Sequence, residues 1–139
     1  MSNPTEPAAA ATTAAETARR EPAIRVILMP KDTNALGTIF GGVILSYIDL
    51  AGAVEAHRHC TGRLVTVAMR EVVFHQPVFV GDLVSFYTST KRLGKTSVTV
   101  DVSVEVERGQ SGGAKVHVTQ AEVVYVHVDQ GGRPTPIAQ

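Results

Sequence analysis

Valine alternates with polar residues along the most regular segment of the chain, residues 97–107. The valines are Val98, Val100, Val102, Val104 and Val106, and the positions between them hold serine, threonine, aspartate or glutamate. Because successive side chains of a strand point to opposite faces, this period of two predicts a β-strand with one buried and one wet face. That pattern is typical of an antiparallel sheet.

Four further segments rich in valine and other apolar residues predict the remaining strands. They run over residues 24–29, 64–74, 83–90 and 114–128. The apolar parity of the last segment shifts between Val118 and Val123, which indicates a β-bulge near Gln120. The segment Arg92–Lys95 is the predicted hairpin connection that precedes the valine-rich strand.

A period of three and four residues replaces the strand pattern after Gly41 and Gly42 and fades near His57. This period predicts one helix of about 16 residues. Its apolar positions are Val43, Ile44, Tyr47, Ile48, Ala51 and Val54. Gly52 lies between two alanines, so we expect this part of the helix to approach another element closely.

The order of these elements predicts an α+β domain in which an antiparallel sheet wraps around one long central helix. Such a sheet leaves open edges, which favour pairing between subunits. Residues 1–22 are mostly Ala, Thr, Pro and Glu and predict a disordered N-terminal tail. We expect the folded domain to span residues 23–135, followed by a loose C-terminal end at 136–139.

Composition restricts the partners and the compartment. The 13 Lys and Arg balance the 13 Asp and Glu, whereas nucleic-acid binding favours a basic surplus, so no nucleic-acid partner is expected. A single cysteine, Cys60, excludes an intrachain disulfide and fits a reducing compartment. No apolar run approaches the roughly 20 residues of a membrane span, and the N-terminus lacks the apolar centre of a signal peptide. We therefore expect a cytoplasmic protein without a membrane partner.

Asp49 and Thr66 are polar side chains in apolar surroundings. Asp49 lies in the middle of the predicted helix, where aspartate is a poor helix former, and its carboxylate needs either a partner or a chemical role. It is a candidate general base or nucleophile, or else a structural residue that pairs with an arginine or faces solvent. Thr66 shares a predicted strand face with Leu64 and Ala68, where an ordinary strand threonine is the alternative.

Asn34 and the Gly41–Gly42 pair precede the main part of the helix. The Asn34 amide either completes a turn or orients a water or a carbonyl group. Glycine permits close approach of a ligand, and the unpaired amides of a helix N-terminus stabilise an oxyanion. A plain helix start is the alternative for the two glycines.

A basic segment surrounds Gly94, with Lys91, Arg92 and Lys95 followed by a threonine and a serine. It predicts either a phosphate-binding hairpin or a solvated turn. His57, His59 and Cys60 cannot all face one point on a regular helix, and the sequence offers no second cluster, so neither a metal nor another cofactor is expected. A G-x-S-x-G elbow is also absent from the sequence, which argues against a serine nucleophile.

The segment from Met29 to Gly42, followed by Asp49, resembles the hotdog acyl-CoA hydrolases, especially the short bacterial YciA-type enzymes. Further similar segments are 62–67, 77–82 and 94–97, so the resemblance covers approximately residues 24–135. This sequence has Leu36 where many relatives carry a small or polar residue, and Val43 where many carry tryptophan. We expect these two differences to change the shape of the pocket and not the chemistry.

The resemblance implies a hotdog fold, a dimer with one continuous sheet, often a trimer of dimers (a homohexamer), and hydrolysis of acyl-CoA. It assigns the catalytic carboxylate to Asp49, positioning of the thioester or the water to Asn34, an assisting hydroxyl to Thr66, and polarisation of the carbonyl to the helix start at Gly42. The residues expected to bind coenzyme A are Phe40, Gly41, Lys91, Arg92, Gly94, Lys95, Thr96 and Ser97.

Helix geometry adds one expectation about these roles. Gly42 and Asp49 are seven residues apart, which places them about 10 Å apart along a helix. One thioester carbon is too small to contact both, so the site is expected to be shared between two subunits. Two alternative functions remain, a non-catalytic acyl-CoA-sensing module and a hotdog dehydratase. The dehydratase is disfavoured because no histidine lies one helical turn from Asp49.

Overall fold

Five antiparallel strands and one long helix form the part of the chain that the computed structural model describes, residues 20–109 and 113–137. A short 3-10 helix, Pro30–Asp32, follows the first strand. The main elements are β1 (Ile24–Ile27), α1 (Gly41–Ala56), β2 (Arg63–Phe74), β3 (Leu83–Leu93), β4 (Ser97–Arg108) and β5 (Ala114–Val128). Their order in the sheet is β1-β3-β4-β5-β2, so that β1 and β2 form the two edges.

Helix α1 packs across β3, β4 and β5, as the sequence predicts, and has 16 residues. It contributes buried apolar side chains such as Ile44 and Ile48 to the core, and the five alternating valines of β4 face it with no exposed surface. The α+β architecture with one central helix is therefore confirmed. Within the described residues, no helix is long and apolar enough to cross a membrane.

The registers of β3, β4 and β5 refine three predicted details. Strand β3 continues to Leu93 past an irregularity at Lys91, so the hairpin connection is shorter than predicted. The bulge of β5 relative to β4 occurs at Val118, two residues before Gln120. Thr99, expected on the wet face of β4, is buried beside its cross-strand partner Val124, which is buried as well.

Strand β2 is an irregular edge strand. Its pairing with β5 shifts register after Thr66 and again between Arg70 and Val73, where Glu71 adopts a φ of 56°. Bulges of this kind bend a strand and increase its twist, which helps a sheet to curve around a helix. Because of the first shift, Ala68 pairs with Val124 on the face away from α1, so the expectation that Thr66 and Ala68 share a face is wrong.

The C-terminal segment folds back onto the sheet. The Thr135 amide donates to the His127 carbonyl, the Ile137 amide donates to the Lys95 carbonyl, and Ile137 is buried. The prediction of a loose C-terminal end is therefore wrong for residues 136 and 137, because the Ile137 side chain is buried in the hydrophobic core. Residues 1–19 of the predicted tail lie outside the described residues, whereas Arg20 stacks on the Tyr87 ring at 4.0 Å.

Glu55 joins the C-terminal half of α1 to β3. Its buried carboxylate accepts hydrogen bonds from Thr88 and Thr90, the latter at 2.6 Å, and from Arg58 at 3.3 Å. Burial alone raises the pKa of Glu55, but the hydrogen bonds from Thr90, Arg58 and Thr88 outweigh it and hold the pKa below its ordinary value. The ionised form of Glu55 therefore fastens the helix to the sheet.

We predict that Glu55→Gln lowers stability at neutral pH and that the difference from wild type shrinks in acid. A depressed folded-state pKa stabilises the protein above the ordinary glutamate value, 4.5, and this stabilisation is lost as the pH falls through the folded-state pKa. Urea unfolding from pH 7 down to about pH 3 at one protein concentration measures it. Glu21→Gln, at an exposed position, is the control. A difference that does not change with pH would contradict the prediction.

Candidate active site

The Asp49 carboxylate and the Thr66 hydroxyl are in direct contact. Thr66 Oγ1 donates a hydrogen bond of 2.6 Å to Asp49 Oδ1, and this bond joins α1 to β2. Among the ion pairs of the described residues none includes Asp49, so the arginine-paired alternative is not what the fold produces. The second carboxylate oxygen, Oδ2, accepts no hydrogen bond from the described residues and is available to a ligand or to water.

Tyr125 is a third member of this group, and sequence analysis missed it. Its Oη donates a 2.5 Å hydrogen bond to the main-chain carbonyl oxygen of Asp49. Tyr125 and Thr66 are direct partners across β5 and β2, so one cross-strand pair holds both the side chain and the main chain of Asp49. A signal was present in the sequence, because a tyrosine on the buried face of a valine-rich strand needs a hydrogen-bond partner inside the core.

Burial raises the pKa of Tyr125 well above its ordinary value, and the negative charge of the Asp49 carboxylate and a hydrogen-bonding interaction with it add to this effect. The phenol therefore stays neutral and keeps its proton as a donor at physiological pH. In the hydrogen bond between Tyr125 and Asp49, the phenolic hydroxyl is therefore the donor and the main-chain carbonyl of Asp49 is the acceptor.

Gly52 gives the Tyr125 hydroxyl its space. A Cβ at this buried position would overlap Tyr125 Oη and lie 3.1 Å from two ring carbons. Glycine in a helix interior costs about 0.5–1 kcal/mol relative to alanine. The sequence predicts that the helix approaches another element closely at Gly52. That element is β5, which comes close to the helical turn that carries Asp49.

The start of α1 lies near the opposite end of β2. Phe40 is the N-cap residue, has extended backbone angles and supplies no side-chain cap. No acceptor among the described residues is found for the Gly41 and Gly42 amides, as expected for the first turn of a helix. The position of the helix start is fixed by main-chain bonds from Ile39 to Val78 (2.8 Å) and from Phe40 to Asp32 (2.9 Å).

A largely apolar cavity of about 320 Å³ opens beside Gly41. The side chain of Phe74, near the end of β2, forms one wall. The complete lining is Ile39, Gly41, Ile44, Phe74, His75, Gln76, Pro77 and Val78. An apolar cavity next to unpaired helix amides suits a ligand that joins an apolar chain to a polarisable carbonyl group.

The Asn34 amide is occupied within its own turn. Oδ1 accepts from the Leu36 and Thr38 amides at 2.9 and 3.2 Å, and Nδ2 donates to Thr38 Oγ1 at 2.9 Å. No hydrogen bond joins Asn34 to Asp49 in the described part of the chain. Within one chain, therefore, neither Asn34 nor Gly42 is brought to the Asp49–Thr66 pair.

The residues predicted to bind coenzyme A in the hairpin fall into two groups: Lys91 and Arg92 belong to strand β3, whereas Gly94–Thr96 form the turn. Lys91 forms a 3.0 Å ion pair with Glu122, a hydrogen bond that raises the pKa of Lys91. Arg92 pairs in register with Thr99. The tip Gly94–Thr96 is closed by a main-chain bond from Gly94 to Ser97, and the carbonyl oxygen of Thr96 accepts the His127 amide at 2.8 Å. Lys95 is exposed at this tip, and His127, which contacts the tip, lies two residues after Tyr125 in β5.

The histidines near the end of α1 have separate partners. His57 Nδ1 lies 3.0 Å from the Cys60 carbonyl oxygen, and His59 Nε2 lies 2.7 Å from Thr90 Oγ1. The described residues contain no group of three side chains able to hold a metal ion.

Comparison with known proteins identifies the family of this chain. The family model described as the thioesterase superfamily matches residues 36–112. The acyl-CoA thioester hydrolase YciA of Salmonella typhimurium is 39% identical over 128 residues, which cover 91% of this chain and 96% of that protein.

Two solved structures share the fold. One is a hexameric hotdog-fold thioesterase of Campylobacter jejuni, with 46% identity, a TM-score of 0.80, and coverage of 85% of this chain and 90% of that chain. Another is a hexameric broad-specificity acyl-coenzyme A thioesterase, with 38% identity, a TM-score of 0.81, and coverage of 87% and 83%. These matches confirm the predicted hotdog fold, and the chain belongs to the thioesterase superfamily.

Proposed function

We propose that this protein is an acyl-CoA thioesterase, which hydrolyses acyl-CoA to a free carboxylic acid and coenzyme A. The observation that carries the proposal is the 2.6 Å hydrogen bond from Thr66 to Asp49, which orients a carboxylate in the middle of α1. Its relatives include proteins described as acyl-CoA thioester hydrolases, at 39% identity over most of the chain.

Asp49 supplies the reactive group in this proposal. Thr66 holds Oδ1, and the free Oδ2 either takes a proton from the attacking water or attacks the thioester carbon itself. In the first route the oxygen of water bonds to the thioester carbon and Asp49 takes its proton; in the second, Asp49 forms a mixed anhydride with the acyl group, and a water molecule then hydrolyses this anhydride to release the acid and restore Asp49. In both routes the carbon–sulfur bond breaks, and the coenzyme A thiolate leaves and takes up a proton. A single turnover in ¹⁸O-labelled water separates the routes, because label enters Asp49 only if the carboxylate attacks.

The start of α1 stabilises the developing oxyanion. The free amides at Gly41 and Gly42 lie at the positive end of the helix dipole, where a carbonyl oxygen gains hydrogen bonds as its charge grows. The cavity beside Gly41 receives the apolar part of the substrate, and Phe40, at the N-cap of α1, contacts the coenzyme A part. The hairpin tip, with exposed Lys95 and half-buried Thr96 and Ser97, contacts the phosphates of coenzyme A.

We further propose that each site combines two subunits through the free edge of β2. Thr66 and Phe74 each lie four residues from Arg70. An antiparallel pair of β2 strands related by a twofold axis near Arg70 would therefore place Thr66 of one subunit opposite Phe74 of the other. This arrangement brings the Gly41–Asn34 end of one subunit to the Asp49 of its partner.

Exposed apolar residues near both ends of β2 support this pairing. They are Val65, Val67, Val73 and Phe74, accompanied by Leu50 and Val54 on the outer side of α1. Such a surface is typical of an interface. Three of these dimers would form a hexamer, and both solved relatives are described as hexameric. The single cysteine, which is buried and unpaired, agrees with the proposed cytoplasmic location.

Asp49→Asn tests the proposed activity. We expect kcat for thiol release from short-, medium- and long-chain acyl-CoAs to fall about 100-fold or more, because a neutral amide cannot take a proton. Binding of coenzyme A, measured by calorimetry, should persist. The control is Glu21→Gln, at an exposed position outside the predicted site. A wild type that binds acyl-CoA without releasing thiol would identify a sensing module instead.

Thr66→Val and Thr66→Ser separate the hydroxyl from the shape of its side chain. Valine has the same shape but cannot donate to Asp49 Oδ1, and a hydrogen bond to a charged group contributes enough for about a tenfold loss of kcat. Serine should retain most of the activity. Thr99→Val, which removes another buried hydroxyl from the sheet, is the control. Equal activity of the valine and serine variants would contradict the role of Thr66.

Mixing of inactive subunits tests whether the sites are shared. Asn34→Ala and Asp49→Ala should each be inactive alone, whereas a mixed dimer has one site with both residues intact. Random reassembly of equal amounts should restore about a quarter of the wild-type sites, since half of the dimers are mixed and each has one active site. Unmixed variants taken through the same reassembly are the controls. If activity does not return at all, each site lies within one subunit.

A further inference from the structure

Asp49 is held at two points by two strands. Thr66 of β2 holds its carboxylate, and Tyr125 of β5 holds its main-chain carbonyl. We propose that Tyr125 is a positioning residue for the hydrolysis, which sets the place of the Asp49 carboxylate, and that Gly52 is its required complement. This inference rests on the proposed thioesterase activity and adds two residues to its machinery.

The Tyr125 bond is not needed to satisfy the Asp49 carbonyl. In a regular helix that carbonyl already accepts the amide four residues later, so Tyr125 occupies its second lone pair. What the bond adds is a fixed distance between the Asp49 turn of α1 and β5. Thr66 is the cross-strand partner of Tyr125. The same pair of sheet residues therefore positions both the Asp49 carboxylate and the Thr66 hydroxyl that donates to it.

Gly52 provides a second observation that leads to the same conclusion. It lies in the helix interior and is fully covered, where alanine would stabilise the helix. Any Cβ at this position would overlap the Tyr125 hydroxyl oxygen, whereas the nearest ring carbons lie at 3.1 Å, close enough to need only a small shift. The conflict with a larger residue is thus mainly a conflict with the hydroxyl.

The hydroxyl donates a hydrogen bond and does not exchange its proton during the reaction. Burial and the charge of Asp49 raise the pKa of Tyr125 well above its ordinary value, so it stays protonated over the working range. A positioning role therefore predicts that loss of the hydroxyl lowers the rate without changing the shape of the rate–pH profile.

Tyr125→Phe is the first test, because it keeps the buried ring and removes only the hydroxyl. We expect kcat to fall about three- to tenfold, since small displacements of a catalytic group reduce the rate strongly, while KM, the inhibition constant of coenzyme A and Tm change little. Tyr87→Phe, which removes another phenolic hydroxyl from a buried ring in β3, should leave kcat unchanged. Unchanged kcat in Tyr125→Phe would overturn the proposal, as would an altered pH profile.

A double-mutant cycle with Gly52→Ala is the second test. In the wild-type background the new methyl group displaces the hydroxyl, so kcat should fall at least as far as in Tyr125→Phe. In the Tyr125→Phe background the colliding oxygen is gone, so Gly52→Ala should reduce kcat by a clearly smaller factor than in the wild type. Equal costs in both backgrounds would show that Gly52 acts through helix packing alone and would overturn the pairing of the two residues.

The two proposals fail in different ways. If the wild type releases thiol and Asp49→Asn does not, while Tyr125→Phe matches the wild type, the thioesterase activity stands and the positioning role is overturned. If the wild type releases no thiol from any acyl-CoA, the proposed function and this inference are both overturned.

Discussion

The fold depends on the burial of a single helix against a single sheet. Among residues 20–109 and 113–137, helix α1 has no second long helix to pack on, so β3, β4 and β5 must cover it, and the valines of β4 do so without exposed surface. The register shifts in β2, β3 and β5 let the sheet curve around the helix. A carboxylate on such a helix is costly unless a strand supplies a donor, and Thr66 is that donor for Asp49.

The same constraint explains why one chain holds only parts of a site. The start of α1 lies near Phe74, and Asp49 in the middle of α1 contacts Thr66, so the two functional parts of the helix lie near opposite ends of β2. Strand β2 pairs only with β5 in the described residues, and its other edge is free. Antiparallel pairing of two such edges exchanges their ends. The irregular edge strand thus connects the packing of the helix to the proposed assembly of the site.

Much of the fold could be predicted from the sequence because its patterns are local. Alternating valines specify β4, and the step of three and four residues specifies α1 with its full length. The role of Tyr125 could not be predicted, because it depends on a contact among Gly52, Thr66 and Tyr125, which are far apart in the sequence and meet only in the correct register. The bulge after Thr66 could not be predicted either, because it interrupts the alternation of the two strand faces from which side-chain directions are predicted. The burial of Ile137 depends on a main-chain bond to the distant Lys95.

The two carboxylates of α1, Glu55 and Asp49, differ in their hydrogen-bond partners, and this difference gives one a structural role and the other a proposed chemical role. Both oxygens of Glu55 are engaged, Oε1 by Thr88 and Arg58 and Oε2 by Thr90, and its depressed pKa reflects this saturation. Asp49 receives a hydroxyl on Oδ1 alone, while Tyr125 is directed to its main chain. Had Tyr125 donated to Oδ2, the carboxylate would be as fully occupied as Glu55. By holding the carbonyl instead, it fixes Asp49 in place and leaves one oxygen free to react.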